Sequence, residues 1–213
     1  HDKNGNFISP AEAIPILEES GLIIPVGKWI IQNAFSMCTE CRKYYPEFRV
    51  SINLSYVQIL KSPLMMELKQ IIEHSGISCS GIIVELTESG YLEGTPAVRS
   101  VWNDMKKLRI QIALDDFGTG YSNLMNISNL EPDIVKLDRG FTLKALSRSY
   151  EYQLMQYVIE MVHKLNQYVC VEGVETKEDL EKIKALGPDL IQGYYYSKPC
   201  SRNEFLKKFF CYS

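Results

Sequence analysis

Polar residues recur in this chain at one kind of place, the downstream end of a short apolar run. Asn53 follows Val50-Ser51-Ile52, Glu85 follows Ile82-Ile83-Val84, and Asp115-Asp116 follow Ile112-Ala113-Leu114. Lys136 follows Ile134-Val135, Glu172 follows Val169-Cys170-Val171, and Gln192 follows Leu190-Ile191. If those runs are parallel strands of one barrel, their downstream ends meet on one face, where barrel enzymes hold their catalytic groups. Carboxylates converging there repel one another, and some must protonate unless a cation intervenes. Carboxylate and amide oxygens are hard donors that suit Mg²⁺ or Mn²⁺. The histidines are His1, His74 and His163, and the last two lie in helical patterns. That disfavours a zinc centre and a Ser-His or Cys-His nucleophile. Each residue taken singly has a plainer reading, Glu85 as a solvated strand end and Asn53 as a turn residue. Lys136 alone could be a structural ion-pair partner. The tandem Asp115-Asp116 is harder to explain without a counter-charge.

The elements needed to position these residues are legible. Strands are expected over Phe48–Leu54, Ile82–Thr87, Ile110–Asp115, Ile134–Asp138, Tyr168–Glu172 and Leu190–Tyr194, each rich in residues that suit a buried strand. Helix signals lie between them. Ser9-Pro10 with Glu12 starts a helix that Gly21 stops; Ser62-Pro63 opens one that Gly76 closes; Thr95-Pro96 opens another. Thr176 caps a helix ending at Gly187, and Ser201 with Glu204 caps the last. The alternation of strand and helix predicts an α/β fold with parallel strands. Six strands are visible in 213 residues, whereas a closed barrel has eight in about 250. The chain opens on His1 without Met and runs directly into a helix, so the expectation is a barrel lacking its first strands. An open doubly wound sheet is the alternative, but it would usually carry a Gly-rich phosphate turn, which is missing.

Composition narrows the class. Hydrophobic residues make up 46% and charged residues 23%, and the formal net charge is −3, so no general attraction to DNA is expected. No apolar run is long enough to span a membrane, and no signal-peptide pattern is present. Cys38-x-x-Cys41 lacks the second ligand pair that zinc needs, and all six cysteines read as reduced thiols of a cytosolic protein. Trp29 and Trp102 read as helix-packing residues. In Tyr194-Tyr195-Tyr196, strand alternation would send at least one ring into the core.

The string Leu114-Asp115-Asp116-Phe117-Gly118-Thr119-Gly120-Tyr121-Ser122 resembles the signature loop of EAL-domain proteins, the bacterial phosphodiesterases of cyclic di-GMP. Asn53-Leu54-Ser55, Glu85-Leu86-Thr87-Glu88-Ser89, Lys136-Leu137-Asp138-Arg139, Glu172-Gly173-Val174-Glu175-Thr176 and Gln192-Gly193-Tyr194 through Pro199 agree, in order. So do Phe7-Ile8-Ser9-Pro10 and Glu18-Glu19-Ser20-Gly21. The resemblance implies a modified TIM-type (β/α)8 barrel, one EAL-type domain over residues 1–213 and incomplete at its N-terminus. It implies metal-dependent opening of cyclic di-GMP to linear pGpG. Asn53, Glu85, Asp115, Asp116 and Glu172 would hold two Mg²⁺ or Mn²⁺ ions. Lys136 would orient the attacking water, with Glu172 as a proposed general base. Glu175 and Gln192 would support the site, Asp138 and Gln192 would meet substrate, and Glu88 would anchor the loop Phe117–Ser122. A homodimer, upstream sensory or diguanylate-cyclase-type domains, and a cytoplasmic location, with a parent that could be membrane-attached, are also implied. The family's Glu-Ala-Leu motif, whose Glu is a metal ligand, and the Arg shortly after it are missing from this sequence. The expectation is therefore an active parent and an inactive or weakly active chain. The competing readings are a non-catalytic cyclic di-GMP receptor, a dimerisation or interaction module, and an enolase-type barrel, with which the Asp-Asp-Phe-Gly-Thr-Gly loop does not fit.

Overall fold

The computed structural model describes residues 8–87, 95–118 and 131–210. The chain forms two compact units, His1–Ile82 with Gly94–Ile110, and Ile83–Glu93 with Gln111–Ser213.

The first unit is mostly helical. It contains α1 (Pro10–Glu19), α2 (Ile23–Arg42), β1 (Val50–Asn53), α3 (Tyr56–Lys61), α4 (Leu64–Ser75) and α5 (Pro96–Lys107). Most of the expected caps form, but the helix after Ser62-Pro63 starts with Pro63 as its N-cap and no side-chain cap, because the Ser62 hydroxyl donates to the Gln58 carbonyl at the end of α3. The Ser9 hydroxyl accepts from the Glu12 amide at 3.3 Å, and Thr95 accepts from the Val98 amide at 3.4 Å. Gly21 and Gly76 follow their helices with φ of 74° and 66°, left-handed values that glycine adopts at little cost. Ile31, Phe35 and Cys38 of α2 share a buried stripe with helical spacing, as do Leu64, Leu68 and Ile71 of α4, and the two helices pack together. Cys38 and Cys41 are buried cysteines inside α2 and form no disulfide. Trp102 is buried on α5 as expected, but Trp29 is 63% exposed. Two residues, or about 200° of helical turn, separate Trp29 from Ile31, so it faces away from the stripe that packs.

The second unit carries the sheet that bears the chemistry. β2 (Ile82–Thr87), β3 (Gln111–Phe117), β4 (Ile134–Leu137), β5 (Tyr168–Val171) and β6 (Leu190–Ile191) lie side by side in sequence order, all parallel. The helices α6 (Arg139–Ser147), α7 (Ser149–Lys164) and α8 (Lys177–Lys184) make the crossovers, and α9 (Arg202–Phe209) closes the unit. Thr176 with Asp179 and Ser201 with Glu204 form reciprocal capping boxes. Val84, Leu86, Leu114, Val135, Leu137 and Val169 on one sheet face are almost wholly buried. The opposite face begins with an apolar cluster of Ile83, Ala113, Ile134 and Cys170. Side chains alternate along a strand, so the residues two positions on, Glu85, Asp115, Lys136 and Glu172, share that face one layer higher.

Several strand ends lie a residue or two from expectation, with β1 starting at Val50 and β4 and β5 stopping at Leu137 and Val171, and the two consequential differences are in β3 and β6. β3 runs on through Phe117, and its register against β4 shifts between Leu114 and Phe117. β6 stops at Ile191, and Tyr194, Tyr195 and Tyr196 form a turn in which all three rings are exposed. The chain bends because the Tyr195 amide donates to the Val174 carbonyl and the Tyr196 amide to that of Gly193. The expected buried ring is therefore not found.

Candidate active site

The site begins with one ammonium group. Lys136 Nζ lies 2.7 Å from Glu85 Oε2, 2.9 Å from Asp115 Oδ1 and 2.7 Å from Glu172 Oε1. Glu85 comes from β2, Asp115 from β3, Lys136 from β4, and Glu172 directly follows β5. Lys136, Glu85 and Asp115 are buried, and Glu172 is largely so. Beneath them lies the apolar layer of Ile83, Ala113, Ile134 and Cys170. That floor explains the titration behaviour. Burial acts to lower the affinity of Lys136 for its proton, but the charges of Glu85 and Asp115 and hydrogen bonds to Glu172 and Glu85 outweigh it. The lysine is held well above its ordinary value. Burial pushes Glu172 upward, against the pull of Lys136. The Cys170 thiol, buried below the charges, is pushed up to about 12, chiefly by burial. It is an inert floor residue.

Three carboxylates facing one ammonium leave a formal excess of two negative charges in a shielded place. Among the described residues, no three acidic, histidine or cysteine side chains are arranged as a ready metal site; the acids close on Lys136 instead. The donor chemistry nevertheless fits a hard divalent cation. The donors are carboxylate oxygens, and the uncompensated charge equals that of one such ion.

Asp116 sits at the register shift of β3 with φ of 60°. An irregularity of this kind re-aims a side chain next to a site. Partial burial, followed by the charges of Asp115 and Asp138, pushes its carboxyl upward, although solvent reaches it. Asn53 ends β1 in the first unit and is exposed. Asp138 caps α6, its Oδ1 accepting from the Gly140 amide at 2.7 Å and the Phe141 amide at 3.3 Å. Glu175 accepts from Arg139, and Gln192 is exposed after β6. Glu88 and residues 119–122 lie outside the described residues. Sequence reasoning thus anticipated the residues around Lys136 but missed that the ammonium is their common centre. It also missed Arg139 and the apolar floor, whose signal was the two-residue offset preceding each polar strand end.

Comparison with known proteins identifies the family and the fold. A family model described as EAL domain matches residues 1–199. The chain belongs to the EAL domain family. The cyclic di-GMP phosphodiesterase PdeF of Escherichia coli (strain K12) is 31% identical over 197 residues, covering 92% of this chain and 26% of that protein. PdeR of the same organism, also named a cyclic di-GMP phosphodiesterase, is 32% identical over 193 residues, covering 91% of this chain and 29% of the relative. The chain spans about a quarter of the length of the curated relatives it matches. Among solved structures, the PaMucR phosphodiesterase in complex with c-di-GMP superposes with a TM-score of 0.88 at 26% identity, covering 97% of this chain and 83% of that one. The EAL enzyme Bd1971, in its cAMP- and cyclic-di-GMP-bound form, gives 0.90 at 29% identity, covering 98% and 57%. The fold class is therefore the one expected, α/β of the modified TIM type, here with six strands among the described residues.

Proposed function

We propose that this EAL chain is the catalytic part of a metal-dependent phosphodiesterase that opens cyclic di-GMP to linear pGpG. The observation that carries the reading is the buried cluster of Glu85, Asp115 and Glu172 on Lys136, at successive strand ends. Glu85, Asp115, Asp116 and Glu172, with Asn53, are the residues that would hold Mg²⁺ or Mn²⁺. When bound, such ions neutralise the phosphodiester and make a water acidic enough to attack. The chain's own groups supply the rest. Lys136 Nζ, kept protonated by its neighbours, fixes three carboxylates and presents positive charge where the water must be oriented. Glu172, with its raised proton affinity, is suited to take the water proton at a carboxylate oxygen. A water oxygen bonds to phosphorus as Glu172 takes its proton, the P–O3′ bond breaks, and O3′ leaves, taking up a proton from solvent. Asp138 and Gln192 would meet the nucleotide, Glu175 would support Glu172, and Glu88 would anchor the following loop.

Residues 1–213 are read as one EAL-type domain, acting in the cytoplasm in second-messenger signalling, as a homodimer and alongside sensory or diguanylate-cyclase-type domains. The bifunctional diguanylate cyclase/cyclic di-GMP phosphodiesterase MucR of Pseudomonas aeruginosa, 27% identical over 210 residues, supports the last point. No helix among the described residues is long and apolar enough to cross a membrane. Because the sequence contains no Glu-Ala-Leu motif, this chain by itself should turn over weakly or not at all. That absence also favours a second reading, a receptor that binds cyclic di-GMP without cleaving it. Chromatography of cyclic di-GMP incubated with Mn²⁺ decides between them. The chain is compared with a version lengthened at its N-terminus by the Glu-Ala-Leu-bearing strands of a relative. Phosphodiesterase function predicts pGpG from the lengthened form; binding by both and cleavage by neither makes the chain a receptor.

A further inference from the structure

Glu172 is not on a strand but on the first residue of a loop, and a loop has to be held if it is to carry a reacting group. The ties on this loop can be followed residue by residue. The Glu172 amide donates to the Leu137 carbonyl at 3.1 Å. The Val174 amide donates to the Gln192 carbonyl at 3.2 Å, and the Val174 carbonyl accepts from the Tyr195 amide at 3.0 Å. Thr176 is fixed as the N-cap of α8. Between them, Glu175 Oε1 accepts from two groups of one guanidinium, Arg139 Nη2 at 2.7 Å and Arg139 Nε at 3.2 Å. Gly173 has φ of 79°, and a Cβ there would collide with Cγ and Cβ of Arg139. The stem of Arg139 thus lies across Gly173 while its head grips Glu175.

Arg139 is three residues beyond Lys136, on the first turn of the helix that Asp138 caps. We infer that Arg139 is a positioning residue that clamps the Glu172–Glu175 loop onto the strand end carrying Lys136, and so sets the Lys136–Glu172 pair. Its side chain is 57% exposed and that of Glu175 38% exposed, so the pair contributes little to global stability. Its effect is local, on where Glu172 sits. Gly173 is the pivot that leaves room for the arginine stem. The role in catalysis rests on the phosphodiesterase reading; the clamp itself does not.

The test is therefore arranged in two layers. Amide hydrogen exchange is measured on the wild-type chain and on Arg139→Ala, Arg139→Lys, Glu175→Gln and the Arg139→Ala/Glu175→Gln double variant. The clamp predicts exchange at residues 173–176 at least about tenfold faster in Arg139→Ala, partial recovery in Arg139→Lys, no further increase in the double variant, and unchanged protection in β4 and β5. Unchanged exchange at 173–176 in Arg139→Ala overturns it. In the lengthened, active form, Arg139→Ala should lower kcat about tenfold or more with KM within about twofold, since misplacing a reacting group by about 1 Å costs on the order of a hundredfold. An unaltered kcat overturns the positioning role. A lengthened form that never cleaves removes the phosphodiesterase reading and leaves the exchange result to decide the clamp.

Discussion

Replacing Lys136 by Met tests the electrostatic core of the site. Methionine keeps much of the side-chain length and removes the one ammonium that Glu85, Asp115 and Glu172 share. Breaking a buried ion pair by deleting one partner costs about 3–5 kcal/mol, because the remaining charge is left shielded from water. For a chain of this size each kcal/mol moves Tm by about 2–4 °C, so the variant should melt roughly 6–20 °C below wild type in chelator at pH 8. The fall has a remedy that only this arrangement provides. A divalent cation drawn to the same carboxylates at about 100 times its Kd restores about 2.7 kcal/mol. Adding Mn²⁺ should therefore recover a good part of the loss, and more in Lys136→Met than in wild type. The double variant Lys136→Met/Asp115→Asn, with one buried charge fewer, should melt above the single variant. Differential scanning calorimetry with chelator and with Mn²⁺ reads all three. A single variant that melts within about 2 °C of wild type in chelator refutes the view that Lys136 holds the cluster together.

Other consequences follow from the same geometry. Gly173→Ala places a Cβ at φ of 79° and against Arg139, so it should lower stability by about 1–2 kcal/mol or more, measured by urea unfolding. Asp116→Asn keeps a residue that tolerates φ of 60° and removes a carboxyl whose proton affinity is raised in the fold. A raised acid costs stability where it is ionised, so in chelator the variant should melt higher than wild type at pH 8. The gain should vanish as pH falls toward the ordinary Asp value of 3.8, and equal gains at both ends would contradict the assignment. Glu172→Gln should weaken Mn²⁺ binding by about 10–100-fold, followed by the electron paramagnetic resonance signal of free Mn²⁺. In the native chain, iodoacetamide should label Cys200, which is exposed, and spare the buried Cys38, Cys41 and Cys170, as read from peptide masses.

Much of this was legible in the sequence because burial leaves strong signals. Ile82–Thr87 reads as a strand on composition alone, and Glu85 stands out in it as the one charge. Thr176 and Ser201 announce their helices through reciprocal acids that the fold uses as written. The tyrosine run misled because strand alternation was extended past Ile191. The backbone there turns as the Tyr196 amide donates to the Gly193 carbonyl, and it is held by the Tyr195 amide donating to the Val174 carbonyl, a tertiary contact that leaves no local pattern. Trp29 misled because residue type was read without helical phase. The Asp115-Asp116 pair was recognisable, but the shift in register that separates the roles of its two members was not. Arg139 was invisible as a functional group, since an arginine after a helix cap is ordinary until its partner, thirty-six positions away, is known.

The central claim is that the strand-end cluster cleaves a phosphodiester. Cyclic di-GMP is incubated with Mn²⁺ and the lengthened form of the chain, with and without Glu172→Gln, and products are separated by chromatography. The account predicts pGpG from the parent form, none in chelator, and a loss of at least about a hundredfold in Glu172→Gln. Undiminished pGpG from Glu172→Gln, or nucleotide binding by the parent form with no product at all, contradicts it.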